Sequence, residues 1–285
     1  MSGVSHGIIV AGGIGSRMLP SSAYLPKEML PLIDVPVLIH LILEAKSAGI
    51  TTLHIVTSPS KNLDVFDQAQ FFHQYRKELD AQLFFPLDGL DIQFHIQPIA
   101  KGFGDALMQA LPHVEGPCLV LLGDNILLDR HSDVEHFAPS QVSASLVDAF
   151  NRTLEPTVGL CEVSFKDVEH YGIAQFEDRT IVDIVEKPKP EDAPSKFALC
   201  GRYVFTEDTL NLLQRYSYEL HGELQTIELQ KHWMREHRLH GHVFEDIVWY
   251  DSGLPLSWLK AQIDHGLRRE DYRDELRSWL ASRLD

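Results

Sequence analysis

Ala11-Gly12-Gly13-Ile14-Gly15-Ser16-Arg17-Met18-Leu19-Pro20, closed by Pro26-Lys27-Glu28-Met29-Leu30-Pro31, follows directly on the apolar run Gly7-Ile8-Ile9-Val10. The apolar run predicts a first strand, and the glycines after it predict a loop that cradles phosphate. Three glycines within four positions remove the Cβ atoms that would hold an anion off the backbone. They also allow positive φ, so successive N–H groups can face one concave site. Neutral donors alone hold a polyphosphate weakly. Arg17 adds a planar fork for two phosphate oxygens, and Lys27, across a proline-braced turn, adds a mobile point charge for a third. The lysine-bearing P-loop spacing is absent. The dinucleotide fingerprint also fails, because Met18 stands where its third glycine belongs and Pro20, Pro26 and Pro31 keep a helix from starting at once. What remains is a long irregular loop shaped for a triphosphate.

Outward from the loop, Val37, Leu38, Leu41, Ile42 and Ala45 recur at helical spacing and Gly49 stands where that helix would end. Leu53-His54-Ile55-Val56 predicts a buried strand, residues 62–79 a helix, Ile92-Gln93-Phe94-His95-Ile96 a strand, residues 102–111 a short helix and Cys118-Leu119-Val120-Leu121-Leu122 a strand. Thr57 and Ser58, rather than an acid, end the second strand, which again argues against a dinucleotide enzyme. Near-continuous apolar strands alternating with helices predict an α/β, Rossmann-like parallel sheet covered on both faces, with ligands at the carboxyl ends of the strands. Asp124 follows its apolar run and Gly123 directly, so its carboxylate should emerge on the same rim as the glycine loop, placed to hold a metal ion.

Past Asp129 the texture changes. Residues 143–149, 158–163, 172–176, 181–185 and 198–205 read as short strands in a β-rich second half. Residues 226–236 read as a helix and 240–244 as a strand, followed by Trp249-Tyr250-Asp251-Ser252-Gly253. From Leu256 the pattern is amphipathic and helical, able to cover the core or a second subunit. His240 and His242 alternate as a strand face does, but no third ligand stands nearby in sequence, and they carry no metal assignment.

Composition limits the partners. A chain of 285 residues with a formal net charge of −16 and no Lys/Arg-rich run is not built for nucleic acid. The few cations of a phosphate site must therefore act locally or with metal. Cys118, Cys161 and Cys200 lie about forty residues apart in apolar contexts, as reduced core residues do. The N-terminus lacks a leader pattern and no apolar run approaches the roughly twenty residues of a membrane span, so a cytoplasmic protein is expected.

The glycine loop with its Pro26–Pro31 block resembles the signature of the sugar-1-phosphate nucleotidylyltransferases. The block itself is most similar to that of the bacterial UTP–glucose-1-phosphate uridylyltransferases, the UDP-glucose pyrophosphorylases. The resemblance continues at intervals to Gly253. It implies a mixed, mainly parallel sheet of the nucleotide-diphospho-sugar transferase type with a β-rich sugar-binding extension. One nucleotidyltransferase domain would span residues 1–285: a nucleotide-binding half over 1–130, a sugar-binding half over 131–254 and a C-terminal helical segment over 255–285.

Its activity would be transfer of a nucleotidyl group from a nucleoside triphosphate, UTP first, to a sugar 1-phosphate, glucose 1-phosphate first, in a homo-oligomeric enzyme. Carried over residue by residue, Ala11, Gly12, Gly13 and Gly15 would bind the nucleotide, with Gln97 and Gly102 at the base edge. Arg17 would hold the β- and γ-phosphates, Lys27 the α-phosphate and Lys187 the sugar phosphate. Gly172, Glu186, Gly201 and Glu223 would contact the sugar and its phosphate, in the stretches Tyr171-Gly172, Glu186-Lys187-Pro188 and Gly201-Arg202-Tyr203. Asp124 and Asp251 would share a Mg²⁺.

Two departures bear on the sugar. Thr226-Ile227-Glu228 stands where these enzymes carry hydrophobic-Thr-Asp, and Ser22-Ala23 where the uridylyltransferases carry Thr-Lys. A dTTP-dependent enzyme, one for a modified sugar or cyclitol phosphate, and a non-catalytic nucleotide-sugar-binding regulator are the alternatives.

Overall fold

The computed structural model describes residues 3–59, 61, 65–215 and 226–284. In chain order run β1 (His6–Val10), α1 (Ser21–Tyr24), β2 (Pro31–Leu32), β3 (Val35–Pro36), α2 (Val37–Ser47), β4 (Thr52–Thr57), α3 (Val65–Phe72), β5 (Asp91–Ile96), α4 (Phe103–Ala110), β6 (Cys118–Leu122) and β7 (Asn125–Leu128). The second half holds α5 (Val142–Thr153), β8 (Thr157–Glu162), β9 (Gly172–Glu177), β10 (Thr180–Glu186), β11 (Phe197–Phe205), α6 (Thr209–Leu213), α7 (Ile227–Arg235), β12 (His240–Val243), β13 (Val248–Asp251), α8 (Pro255–Arg268) and α9 (Arg273–Leu284).

Nine strands form one sheet in the order β5-β4-β1-β6-β11-β8-β12-β10-β9. The first four are parallel, with Ile8 of β1 opposite His54 of β4 on one side and Val120 of β6 on the other. β11 then runs antiparallel to β6 and β8, and β10 antiparallel to β9, so the β-rich half extends the sheet by hairpins. Because side chains alternate along a strand, Ile8 and Ile9, like Val120 and Leu121, serve opposite faces. Ile9, Leu121 and Val204 pack under α2 and α5, and Ile8, Val120 and Phe205 under α4, α6 and α7. Helix α2 is buried at every position from Val37 to Ala45, so it is enclosed on all sides rather than lying on the surface.

The structure corrects two expectations. Residues 143–149 are not a strand but lie within α5, whose buried Val142, Leu146, Val147 and Phe150 follow helical spacing. The helix expected over 62–79 is α3, Val65–Phe72, followed by a 3₁₀ turn, His73–Tyr75. The three cysteines are buried free thiols, and burial pushes Cys118 up to about 12. Among the described residues no helix is long and apolar enough to cross a membrane.

Arg202 departs from the sugar-contact stretch to which the resemblance assigned it. It is fully buried at the junction of the parallel and antiparallel strands, donating to Glu44 Oε1 at 2.7 Å, Glu44 Oε2 at 2.8 Å and the Asn125 carbonyl at 3.0 Å. Ser143 Oγ gives Glu44 a further hydrogen bond at 2.5 Å. Tyr203, at 5% exposure, is likewise core. Removing one member of such a pair strands the other charge inside. Arg202→Met should therefore cost about 3–5 kcal/mol in urea denaturation, and Glu44→Leu/Arg202→Met should recover most of it. A single variant as stable as the parent would show that the pair holds nothing together.

Candidate active site

The glycine loop leaves the carboxyl end of β1 and is pinned there on both sides: Ala11 N donates to the Val56 carbonyl at 2.8 Å, and Gly123 N to the Val10 carbonyl at 2.9 Å. Gly12 is needed for closeness, since a Cβ there would lie 2.7 Å from Gln97 Oε1. Gly15 is needed for conformation, with φ of 71° at the start of the 3₁₀ turn Ser16–Met18 and its carbonyl accepting from Ser22 Oγ at 2.8 Å. Met18, in the place of the missing glycine, is a core side chain at 5% exposure. The prolines do keep the segment irregular, as a succession of short turns.

Lys27 opens a second 3₁₀ turn, Lys27–Met29, and its Nζ comes back over Gly13 to meet Asp124 Oδ2 at 2.5 Å. Asp124 follows β6, on the rim where the sheet's topology predicts it. Asp251 reaches the same place by a route that local sequence does not encode. β13 pairs antiparallel with β7, setting Asp251 opposite Asn125, and Ser252 N donates to the Asp124 carbonyl at 2.9 Å. Asp251 Oδ1 accepts from Gly253 N at 2.6 Å, and a Cβ at Gly253 would lie 3.1 Å from Arg17 Nη2, so Arg17 arrives beside Asp251.

Burial first, and then the Asp124 charge, raise the Asp251 pKa; the Gly253 N–H, Arg17 and Lys27 pull it back. Two carboxylates that meet on a rim carrying the glycine loop suit a hard divalent cation bound through oxygen. Among the described residues no group of three or more His, Cys, Asp and Glu side chains gathers to hold a metal. A cation here would need oxygens from substrate and water as well.

Gln97 lies just past β5, at 4% exposure. Its amide nitrogen donates to Asp105 Oδ2 at 2.8 Å and to the Gly102 carbonyl at 3.2 Å, leaving Oε1 directed at Gly12. Gly102 caps α4 with φ of 103°.

Of the predicted sugar residues, Gly201 adjoins the Asp124 centre through Asn125, and Gly172, Glu186 and Lys187 lie together around Tyr171. Asn125 Nδ2 donates to Asp124 Oδ1 at 2.9 Å, and Trp249 Nε1 donates to Asn125 Oδ1 at 2.7 Å. The Tyr171 ring lies 4.5 Å from Trp249. Gly201, with φ of 78°, approaches Asn125 so closely that a Cβ would lie 3.1 Å from Nδ2. A Cβ at Gly172 would lie 3.0 Å from Glu186 Oε2. Lys187 has φ of 47°, unusual for a side-chain-bearing residue, with its N–H donating to the Tyr171 carbonyl at 2.9 Å. Glu186 and Lys187 are each 62% exposed and 3.7 Å apart, on the open rim. Glu223 lies outside the described residues.

Four residues went unassigned in the sequence. Asn125 stood within the Gly123-Asp124-Asn125 turn and Trp249 two places before Asp251, each visible without a stated role. Glu28 stood inside the quoted block. Lys61 gave no local signal, yet it donates to both Glu28 oxygens, at 2.9 and 2.8 Å, and to the Ala11 carbonyl at 2.5 Å. Burial raises the Glu28 pKa and lowers that of Lys61, each partly offset by the other's charge.

The family profile of nucleotidyl transferases matches residues 6–266. UTP–glucose-1-phosphate uridylyltransferase 2 of Streptococcus pyogenes serotype M3 is 29% identical over 293 residues, covering 98% of this chain and 96% of its own. A UDP-glucose pyrophosphorylase complexed with UDP-glucose superposes with a TM-score of 0.77 at 25% identity, over 92% of this chain and 98% of that one. The UTP-bound UGPase from Acinetobacter baumannii, at 24% identity, shares the fold with a TM-score of 0.81 over 98% of this chain and 99% of that one. The mixed sheet, the loop that follows its first strand and a profile spanning most of the sequence agree: this chain belongs to the nucleotidyl transferase family.

Proposed function

We propose that this protein transfers a uridylyl group from UTP to glucose 1-phosphate, giving UDP-glucose and pyrophosphate. The observation that carries the reading is the meeting of Arg17, Lys27, Asp124 and Asp251 around one glycine loop, in a chain whose full-length relatives are named for that reaction. A sugar-phosphate oxygen attacks the α-phosphorus, a new P–O bond forms, and the bond to pyrophosphate breaks in line. The attacking oxygen is already an anion near neutral pH, so the site must supply alignment and neutralise charge rather than remove a proton. Residues 1–130 serve the nucleotide and 131–254 the sugar phosphate.

In this scheme Arg17 holds the leaving pyrophosphate, Lys27 meets the charge that develops on the α-phosphate, and Lys187 holds the sugar phosphate. Asp124 and Asp251 hold a Mg²⁺, which when bound neutralises phosphate charge. Gln97 Oε1 offers an acceptor to the imide N–H of uracil, and thymine carries the same group, so Gln97 does not separate UTP from dTTP. Glu186, Glu223 and the backbone near Gly172 and Gly201 read the sugar. Homo-oligomerisation belongs to the same reading. Leu256, Leu259 and Trp279 are each more than half exposed on the C-terminal helices, an apolar surface suited to a second copy, and a monomer in analytical ultracentrifugation would remove that part.

Pyrophosphate release across a panel of nucleoside triphosphates and sugar 1-phosphates tests the reaction, with UTP and glucose 1-phosphate expected to give the highest kcat/KM. Ile227 is half-buried and packs on the second core, which supports a packing role there and hence glucose as the sugar. Ile227→Thr should therefore leave the sugar preference unchanged. If the parent ignores glucose 1-phosphate but turns over a deoxy- or amino-sugar phosphate, the sugar assignment fails and the reaction class stands.

Removing the charges separates roles. Lys27→Ala should lower kcat by on the order of 10²-fold or more with the fold intact, because its charge acts mainly in the transition state. Asp124→Asn and Asp251→Asn should each abolish metal-supported turnover, as EDTA should in the parent. Undiminished turnover in chelator would leave both aspartates with a structural role and the chemistry to Arg17, Lys27 and Lys187.

A further inference from the structure

The Lys61 ammonium is fully used. A lysine has three N–H donors, and here three acceptors take them: the Ala11 carbonyl at 2.5 Å, Glu28 Oε1 at 2.9 Å and Glu28 Oε2 at 2.8 Å. The side chains are 7% and 2% exposed. In this arrangement Lys61 has no donor left for a phosphate, so its place beside the loop is not that of a ligand.

What the pair does follows from its neighbours. Glu28 is the residue next to Lys27 on the same 3₁₀ turn, and the Lys27 charge reaches both Glu28 and Lys61. On its other side the Glu28 stem lies against the Gly123-Asp124 turn, its Cγ 3.3 Å from where a Gly123 Cβ would stand. Two carboxylates, Glu28 and Asp124, therefore compete for the Lys27 ammonium, and a buried carboxylate without a partner is costly enough to capture one. With Lys61 in place both Glu28 oxygens are occupied and Lys27 goes to Asp124, at 2.5 Å, above the glycine loop.

We infer that Lys61 is a positioning residue, which holds the Glu28 carboxylate so that Lys27 stays directed at Asp124 and the phosphate loop. The inference rests on the reading of Lys27 as the cation of the α-phosphate. It assigns Glu28 the matching part: its carboxylate anchors Lys61, and Lys61 in turn anchors the loop at Ala11.

The test is a double-mutant cycle in the full-length enzyme with UTP, glucose 1-phosphate and Mg²⁺, reading kcat, KM for UTP and the thermal midpoint for each variant. Lys61→Met frees Glu28 to draw Lys27 away, and kcat should fall by on the order of 10²-fold while KM for UTP moves only a few-fold. Adding Glu28→Gln removes the competing charge. Lys61→Met/Glu28→Gln should regain at least tenfold in kcat although the bond to Ala11 is still missing, and Lys61→Arg should keep most of the parent kcat. A purely structural pair would change the midpoint and KM without that recovery. A double variant no better than Lys61→Met, or a Lys61→Met enzyme as fast as the parent, would overturn the inference. Should Lys61→Met not fold, Lys61→Gln, which keeps donors but not the charge, replaces it and the same recovery is required. The parent runs alongside: no pyrophosphate release from it would sink the proposed reaction, whereas an active parent beside an unaffected Lys61 variant sinks only this assignment.

Discussion

A guanidinium with no access to water must have its charge and its donors answered by protein, and Arg202 is such a group. Its partners come from three separate pieces of chain: Glu44 from α2, the Asn125 carbonyl from the start of β7, and Ser143 of α5 through Glu44. Moving α2 away from β11 would strand a charge, and moving β7 or α5 would cost a buried hydrogen bond, so the junction between the parallel and antiparallel halves of the sheet is tied from three directions. Turning Arg202 inward also requires the register shift between Leu199 and Tyr203 on β11, where Gly201 takes a φ of 78° that a side chain would resist. The glycine beside the proposed sugar subsite is thus tied to the core by the same bend. From Asn125 the constraint passes along β7 to β13 and so to Asp251. Asp251 is brought to Asp124 by that pairing and by the Ser252 N–H on the Asp124 carbonyl, one residue away from the Asn125 carbonyl that the buried ion pair holds.

The centre of the site is electrically balanced before any ligand arrives. Arg17 lies beside Asp251, Lys27 is paired with Asp124, and Lys61 with Glu28, three cations against three carboxylates. Three cations gathered at a half-buried rim repel one another and lose hydration, and the carboxylates beside them offset both costs. Asp124 is the residue through which a bound cation would add positive charge at this rim, beside the Lys27 ammonium that it now meets.

What could be read from the sequence divides along the reach of local information. The strands β1, β4, β5 and β6 declare themselves as apolar runs, and the glycine loop and Asp124 follow from standing at their carboxyl ends. Asp251 could be placed only through the family resemblance, because the β7–β13 pairing joins residues some 120 positions apart and nothing near Asp251 announces its partner. Within α5, Ser143-Ala144-Ser145-Leu146-Val147 reads as a strand because it mixes small polar and β-branched residues. Its helical stripe emerges only when Val142 and Phe150 are included, and Ser143 is buried to serve Glu44 rather than to face solvent. Arg202 was drawn toward the sugar by its neighbours Gly201 and Tyr203. Lys61 was invisible for the same reason as Asp251: its partner Glu28 is distant in sequence and the pair has no motif.

The two halves of the site differ in how much order they already possess. Lys27 is 12% exposed and held by Asp124, Gln97 is clamped by Asp105 and the Gly102 carbonyl, and the glycine loop is fastened at Ala11 from two sides. Groups of that kind have little freedom left to lose when a nucleotide arrives. Lys187 and Glu186, 62% exposed, still have their side-chain rotamers to lose. The Lys187 backbone, though, is already held at φ 47° with its N–H on the Tyr171 carbonyl, so under the proposed assignment the strained part of the geometry precedes the sugar phosphate. Only the flexible end of Lys187 would then remain to be ordered, and the charge-assisted bond to phosphate that the proposal gives it is the kind of contact strong enough to order it.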